Sequence, residues 1–157
     1  MTNKPDVSEF DSVDPAPPSL AHDIVELRHT IIDEDERMFI RMRALFALRN
    51  LGGHDAVEAL AAAFDSNSAL LKHEIAYVMG QMQNRVALPY LTDRLSDVDE
   101  DPMVRHEAAE ALGAIGDPSA IETLEKFRDD PEVVISESCE VALDLLKWVA
   151  SKNFEYP

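Results

Sequence analysis

The chain has 157 residues, 46% of them apolar, and a formal charge of −17; no apolar run approaches the ~20 residues of a bilayer span. So large an acidic excess leaves no basic face to neutralise phosphates, which excludes duplex nucleic acid as a partner class and suits solubility or a cationic partner. The single cysteine, Cys139, excludes an internal disulfide and fits a reducing compartment, and the N-terminus lacks the apolar stretch of a signal peptide, so a cytoplasmic location off the membrane is expected.

Residues 1–18 are dominated by Asp, Ser and Pro, and Asp14-Pro15-Ala16-Pro17-Pro18 cannot be helical. They are expected as a flexible Pro/Asp-rich arm or linker, either disordered or ordered on contact. A first helix is expected from about Ser19 to Ile32, because Leu20, Ile24, Leu27 and Ile31 keep helical spacing.

From Asp35 the chain repeats. Aligning Leu48, Met79, Leu112 and Leu143 gives steps of 31, 33 and 31 residues. The same apolar positions recur around each. They are Ile40, Ala44, Ala47, Leu48 and Leu51, then Leu71, Ile75, Val78, Met79 and Met82. The third set is Val104, Ala108, Ala111, Leu112 and Ile115, and the fourth is Ile135, Cys139, Ala142, Leu143 and Leu146. Such spacing is one stripe of an amphipathic helix. The first three copies end in breakers: Gly52-Gly53, Gln83-Asn84 and Gly116-Asp117-Pro118. Shorter second helices are expected near 55–64, 85–95 and 118–128, with a last helix near 132–150. No segment alternates as a strand does. These features predict an all-α, HEAT-like superhelical solenoid of about four helical-pair repeats over 19–150, with a tail at 151–157.

Opposite the core stripe, two copies carry a His-Glu pair at the same register: His73-Glu74 and His106-Glu107. In a solenoid the two helices stack side by side, so the histidines become lateral neighbours. Across the four copies this position reads Met42, His73, His106, Glu137. Each histidine shares its side with small residues, Ala76 and Gly80 or Ala109 and Gly113, which leave room for something to approach the backbone or belong simply to the repeat pattern. Two imidazoles and a carboxylate suit a non-haem Fe(II) oxygenase centre, or Zn²⁺ with a bound water. Glu74 and Glu107 are both placed to close the set. The plainer alternative is a pair of exposed helix histidines, each followed by a glutamate that accepts from neighbouring Lys or Arg. No Ser-His-Asp arrangement and no phosphate-cradling glycine loop is present. His22, His29 and His54 recur nowhere and read as surface residues, while Trp148 and Cys139 read as packing residues.

At these residues the sequence resembles the deoxyhypusine hydroxylase family. The matching stretches include Ser12-Val13-Asp14-Pro15-Ala16-Pro17-Pro18, Arg43-Ala44-Leu45-Phe46-Ala47-Leu48-Arg49-Asn50, Lys72-His73-Glu74, Gly80-Gln81-Met82-Gln83, Pro102-Met103-Val104-Arg105-His106-Glu107 and Glu137-Ser138-Cys139-Glu140-Val141-Ala142-Leu143. The resemblance implies an iron-dependent monooxygenase that hydroxylates the deoxyhypusine side chain of translation initiation factor 5A with O2, completing hypusine. It implies two irons per complete enzyme, held between two similar halves with four His-Glu pairs. This chain has two such pairs, and its start resembles the linker between halves, so it is expected to be the C-terminal half. Its partner would be the N-terminal half or a second copy, and alone it would be catalytically deficient. By the same resemblance His73, His106 and Glu107 would ligate one iron, with Glu74 a further ligand, catalytic residue or contact to the substrate amine. The acidic Glu137, Glu140 and Asp144 would attract the amine cations, and Met42, Leu45 and Phe46 would line the methylenes or face the other half. A metal-free HEAT-repeat scaffold binding a basic protein partner is the rival reading. A repeat-type bilin lyase would share the Ala-Leu-Gly core but leaves the recurring His-Glu pairs unexplained.

Overall fold

A computed structural model describes residues 13–152. Eight α-helices follow one another: α1 (Ile24–Ile32), α2 (Met38–Leu51), α3 (His54–Ala62), α4 (Ala69–Met82), α5 (Leu88–Ser96), α6 (Pro102–Ile115), α7 (Ile121–Lys126) and α8 (Val133–Ser151). No strand occurs among the described residues. The helices α2, α4, α6 and α8 are the four aligned copies. They pack side by side in that order, while α1, α3, α5 and α7 form the second layer. The expected solenoid is therefore present. It contains four helical pairs, because α1 packs against α2 and completes the first of them.

Local chemistry sets the boundaries. The expected start at Ser19 moves to Asp23, whose carboxylate accepts from the Val25 and Glu26 N–H groups and caps α1. Leu20 therefore lies outside the helix, 85% exposed. Ser68 caps α4 through Leu71 N–H, and Asp101 caps α6 with Pro102 in its first turn. At the other ends Gly52 (φ 68°) and Gly116 (φ 79°) take conformations that side chains disfavour. Gln83 ends α4 in the left-handed conformation (φ 51°) and donates from Nε2 to Ala114 O across to α6.

The core follows the stripe. Ala44, Ala47 and Leu48, with their counterparts through Ala142 and Leu143, are buried. The last stripe position reaches the rim in the first three copies, where Leu51 is 40% exposed. The residue just before Met42, His73, His106 and Glu137 ties its helix to a neighbouring turn, the preceding one in every copy but the second, where Lys72 reaches forward to the turn that leads into α6. Arg41 Nε donates to Ile31 O, Arg105 Nε to Leu95 O, Lys72 Nζ to Glu100 and Ser136 Oγ to Arg128 O.

Of the stretch 1–18 expected as a flexible arm, residues 13–18 lie against α2, and the remainder falls outside the described residues. Arg43 donates to the Pro17 and Pro18 carbonyls, the Ser19 N–H donates to Arg43 O, and Ala16 is 1% exposed. Tail residues 153–157 also fall outside the description.

Candidate metal centre

His73 on α4 and His106 on α6 are lateral neighbours, with ring centroids 5.8 Å apart and planes inclined by 33°. Glu107 Oε2 sits between them, 3.0 Å from His73 Nε2 and 3.3 Å from His106 Nε2. One ligand atom from each of these three residues lies within 4.8 Å of the others. His106 Nδ1 lies 3.2 Å from the hydroxyl of buried Ser138 on α8, and 3.7 Å from Glu110 Oε1. Such outer contacts orient a ligating imidazole. Glu74 Oε1 lies 3.7 Å from Nδ1 of its own neighbour His73 and stands outside the three-residue cluster.

The face carrying these residues is not an open outer face. Angles on one helix put His106 opposite the core stripe, but that side is the seam between stacked helices. Ala76, Ala109, Gly80 and Gly113 are buried there. What approaches the glycines is the next helix. A Cβ on Gly80 would stand 3.1 Å from Ala111 Cα of α6, and one on Gly113 would stand 2.9 Å from Ala142 Cα of α8. Small residues thus bring α4, α6 and α8 close enough for side chains on different repeats to converge.

Glu107 is the buried member, 7% exposed. Burial pushes its carboxyl above the ordinary carboxylate range; the charge of Glu110 adds to that, and His73 and His106 oppose it. Two imidazole nitrogens and a buried carboxylate that lacks full charge compensation are a donor set that fits a transition-metal cation.

Further support lies one residue before each histidine. Lys72 Nζ is 2.7 Å from Glu100, which also accepts from Arg94 at 2.9 Å and from the Asp101 N–H at 2.9 Å. Burial works to raise the Glu100 pKa, but these donors outweigh it and the carboxyl is held below its usual range. Arg105 pairs with Asp130 at 3.0 Å. Both helices are therefore anchored where His73 and His106 emerge.

An open cleft of about 410 Å³ adjoins the centre, bordered by His73, Glu74, Tyr77, Glu107 and Glu110, with Phe46 and the arm residues Val13–Pro15 on its other side. A smaller cleft of about 290 Å³ lies beyond His73 and Glu74, between Leu70, Met103 and Asp101. Glu137 and Glu140 are exposed on α8 and do not border the larger cleft. Met42 and Leu45 are buried in this chain's own core, and Phe46 is fully buried at the cleft's edge. Cys139 is buried as expected, but Trp148 is 42% exposed. His22, His29 and His54 are exposed. The residues to which periodicity gives no role are Ser138 and Arg49. Tyr77 and Glu110 do carry a signal, each four residues after a histidine and on the same side of its helix.

Comparison with known proteins agrees with this architecture. The HEAT repeats pattern matches residues 62–144, and the PBS lyase HEAT-like repeat pattern matches residues 40–66. Deoxyhypusine hydroxylase of Mus musculus is 50% identical over 145 residues, covering 92% of this chain and 48% of its own length. The Homo sapiens protein is 48% identical over 153 residues, 98% of this chain and 51% of its own length. Deoxyhypusine hydroxylase-B of Oryza sativa subsp. japonica is 53% identical over 152 residues, 96% of this chain and 50% of its own length. The solved structure of human deoxyhypusine hydroxylase in complex with glycerol superposes with a TM-score of 0.85 at 49% identity, covering 92% of this chain and 50% of that one. The chain thus spans about half the length of the curated relatives it matches. Its HEAT-repeat match and the 48–53% identity sustained along nearly its whole length show that the chain belongs to the HEAT-repeat proteins and is similar, among them, to the deoxyhypusine hydroxylases.

Proposed function

We propose that this chain forms the C-terminal half of an iron-dependent deoxyhypusine hydroxylase and contributes the ligands of one of two irons. The observation that carries the reading is the convergence of His73, His106 and Glu107, from adjacent repeats, within 4.8 Å. These three residues would hold the iron. When bound, iron supplies the activation of O2 needed to hydroxylate an unactivated carbon. The full activity requires the N-terminal half of the same enzyme, or a second copy standing in for it, and the isolated chain would be inactive. The substrate is translation initiation factor 5A bearing deoxyhypusine, in the cytoplasm. No described helix is long and apolar enough to cross a membrane.

The chain's own groups suit such a substrate. Deoxyhypusine is an aliphatic chain with two amine cations. The Glu74 and Glu110 carboxylates border the cleft beside the centre and would receive a cation each. Val13 and Pro15, both exposed, offer apolar surface to the methylenes. The buried Glu107 carboxylate would complete the iron's ligand set, and the Ser138 hydroxyl would fix the His106 ring through Nδ1, leaving Nε2 toward Glu107. Glu137 and Glu140, exposed on α8, would act at longer range by attracting a cationic partner toward this face.

The test is anaerobic titration with Fe(II), followed by elemental analysis after gel filtration. The expected result is one iron per chain, lost in His73→Ala/His106→Ala. No uptake, or uptake unchanged in that double variant, would overturn the metal assignment and favour a metal-free scaffold for a basic partner.

A further inference from the structure

We infer that the arm segment Val13–Pro18 is a fixed wall of the substrate cleft, and that Arg49 on α2 is the residue that positions it. The inference rests on the proposed amine substrate and adds residues to its binding site.

Three observations converge. First, Val13, Asp14 and Pro15 border the same cleft as His73, Glu74, Glu107 and Glu110. Second, the segment is tied down. Arg49 grips Asp14 with both terminal nitrogens, Nη2 to Oδ2 at 2.7 Å and Nη1 to Oδ1 at 3.2 Å. Three and four residues after Asp14, the carbonyls of Pro17 (3.0 Å) and Pro18 (3.3 Å) accept from Arg43. Three prolines in this stretch have a preset φ, so little conformational entropy is lost in holding it. Third, the Arg49 guanidinium is itself fixed from two other sides. It lies 4.9 Å from the centroid of the Phe46 ring, and Nη1 also donates to Gln81 Oε1 at 3.1 Å. Gln81 Nε2 in turn donates to the Tyr77 hydroxyl at 3.3 Å, which brings the chain of contacts back to the cleft.

The chemistry of the two walls differs. On α4 and α6 the cleft presents the carboxylates of Glu74 and Glu110. On the arm the Asp14 charge is neutralised by Arg49, and what remains is the apolar surface of Val13 and Pro15. One anionic wall opposite one apolar wall fits an extended aliphatic amine, whose cations face the first and whose methylenes face the second. A planar forked guanidinium is needed for this hold, because it grips the carboxylate at two points while stacking on a ring; a lysine cannot do both.

The test uses the intact chain and spermidine as a linear aliphatic amine probe, with binding measured by calorimetry and by the NMR shift of the Val13 methyl groups. Spermidine should shift the Val13 methyls. Arg49→Ala and Asp14→Asn should each weaken spermidine binding about tenfold while Fe(II) uptake stays at the wild-type level. Arg49→Lys should recover little of the loss, whereas the exchange Asp14→Arg/Arg49→Asp should recover most of it. The inference is overturned by unshifted Val13 methyls, by full binding in Arg49→Ala, by loss of Fe(II) uptake together with binding, or by absence of spermidine binding to the wild type. Failure of the iron assignment reads differently: spermidine binds and the Arg49 variants weaken it, but no Fe(II) is taken up.

Discussion

Replacing Gly113 with alanine tests how α6 meets α8. The new Cβ would stand 2.8 Å from Ala142 Cβ and 2.9 Å from Ala142 Cα, where ordinary contacts begin near 3.4 Å. The obstructing atom is helix backbone, so no side-chain rotation relieves it. The two helices must part by about 0.5 Å, which loosens contacts along their whole shared length. Against a backbone obstacle, overpacking costs the upper part of its usual range, about 2–3 kcal/mol. Alanine recovers about 1 kcal/mol through its better helix propensity. The net expectation is a loss of about 1–2 kcal/mol, or a melting temperature lower by roughly 3–8 °C for a domain of this size. Gly80 is the internal control. There a Cβ would be 3.1 and 3.2 Å from the Ala111 Cα and Cβ atoms, a milder conflict that the helix-propensity gain nearly offsets. Gly80→Ala should therefore lie within about 0.5 kcal/mol of wild type. Equilibrium urea unfolding followed by far-UV circular dichroism measures both. A Gly113→Ala protein as stable as wild type, or a Gly80→Ala protein less stable than Gly113→Ala, refutes the packing argument.

Three further expectations concern the groups around the centre. The folded protein raises the Glu107 pKa, so this group contributes stability that is present in acid and lost as pH rises through the folded value. Metal-free Glu107→Gln should accordingly gain on wild type as pH climbs from the carboxylate range toward neutrality; unfolding free energies that stay parallel through that window contradict it. Glu100 has the opposite sign, since its pKa is lowered: its stability is present above the unfolded carboxylate value and lost as pH falls through the folded one. Glu100→Gln should cost about 2–3 kcal/mol at neutral pH, with the difference shrinking in acid, as urea midpoints at several pH values will report. Ser138→Ala removes the contact at 3.2 Å to His106 Nδ1. It should lower Fe(II) affinity about 10- to 100-fold while changing unfolding free energy by only about 1 kcal/mol; unchanged affinity in a competition titration removes Ser138 from the site.

The repeat was open to reading because its signal is redundant. Four copies of one stripe agree, so a single misfit such as exposed Leu51 changes nothing. The two histidines were legible for the same reason, since they occupy one register in neighbouring copies. What periodicity cannot supply is the identity of the neighbour. It gives an angle around one helix axis, and from that angle His106 points away from the core stripe. That this direction faces α4 and α8 rather than water depends on how helices stack, which small residues such as Gly113 and Ala142 decide in three dimensions. The arm shows the same limit from another side. Its prolines correctly exclude a helix, but composition does not reveal that Arg43 and Arg49 reach it from α2, 25 to 35 residues away. Ser138 carried no signal at all, because one hydroxyl in a helix has no period to betray it.

The centre belongs to no single repeat. His73 comes from one helical pair and His106 and Glu107 from the next, so the site exists only while two neighbours remain docked. In a solenoid, where each unit touches only those beside it, a cation held across that boundary acts as a staple between otherwise separable segments. Its binding energy would add to the coupling between the second and third pairs and to no other junction, by mass action on the docked form alone. With such a cation bound, fraying from either end would meet an interior barrier at α4 and α6. Amide exchange in the outer pairs would be indifferent to the metal, while exchange in the two central ones would slow.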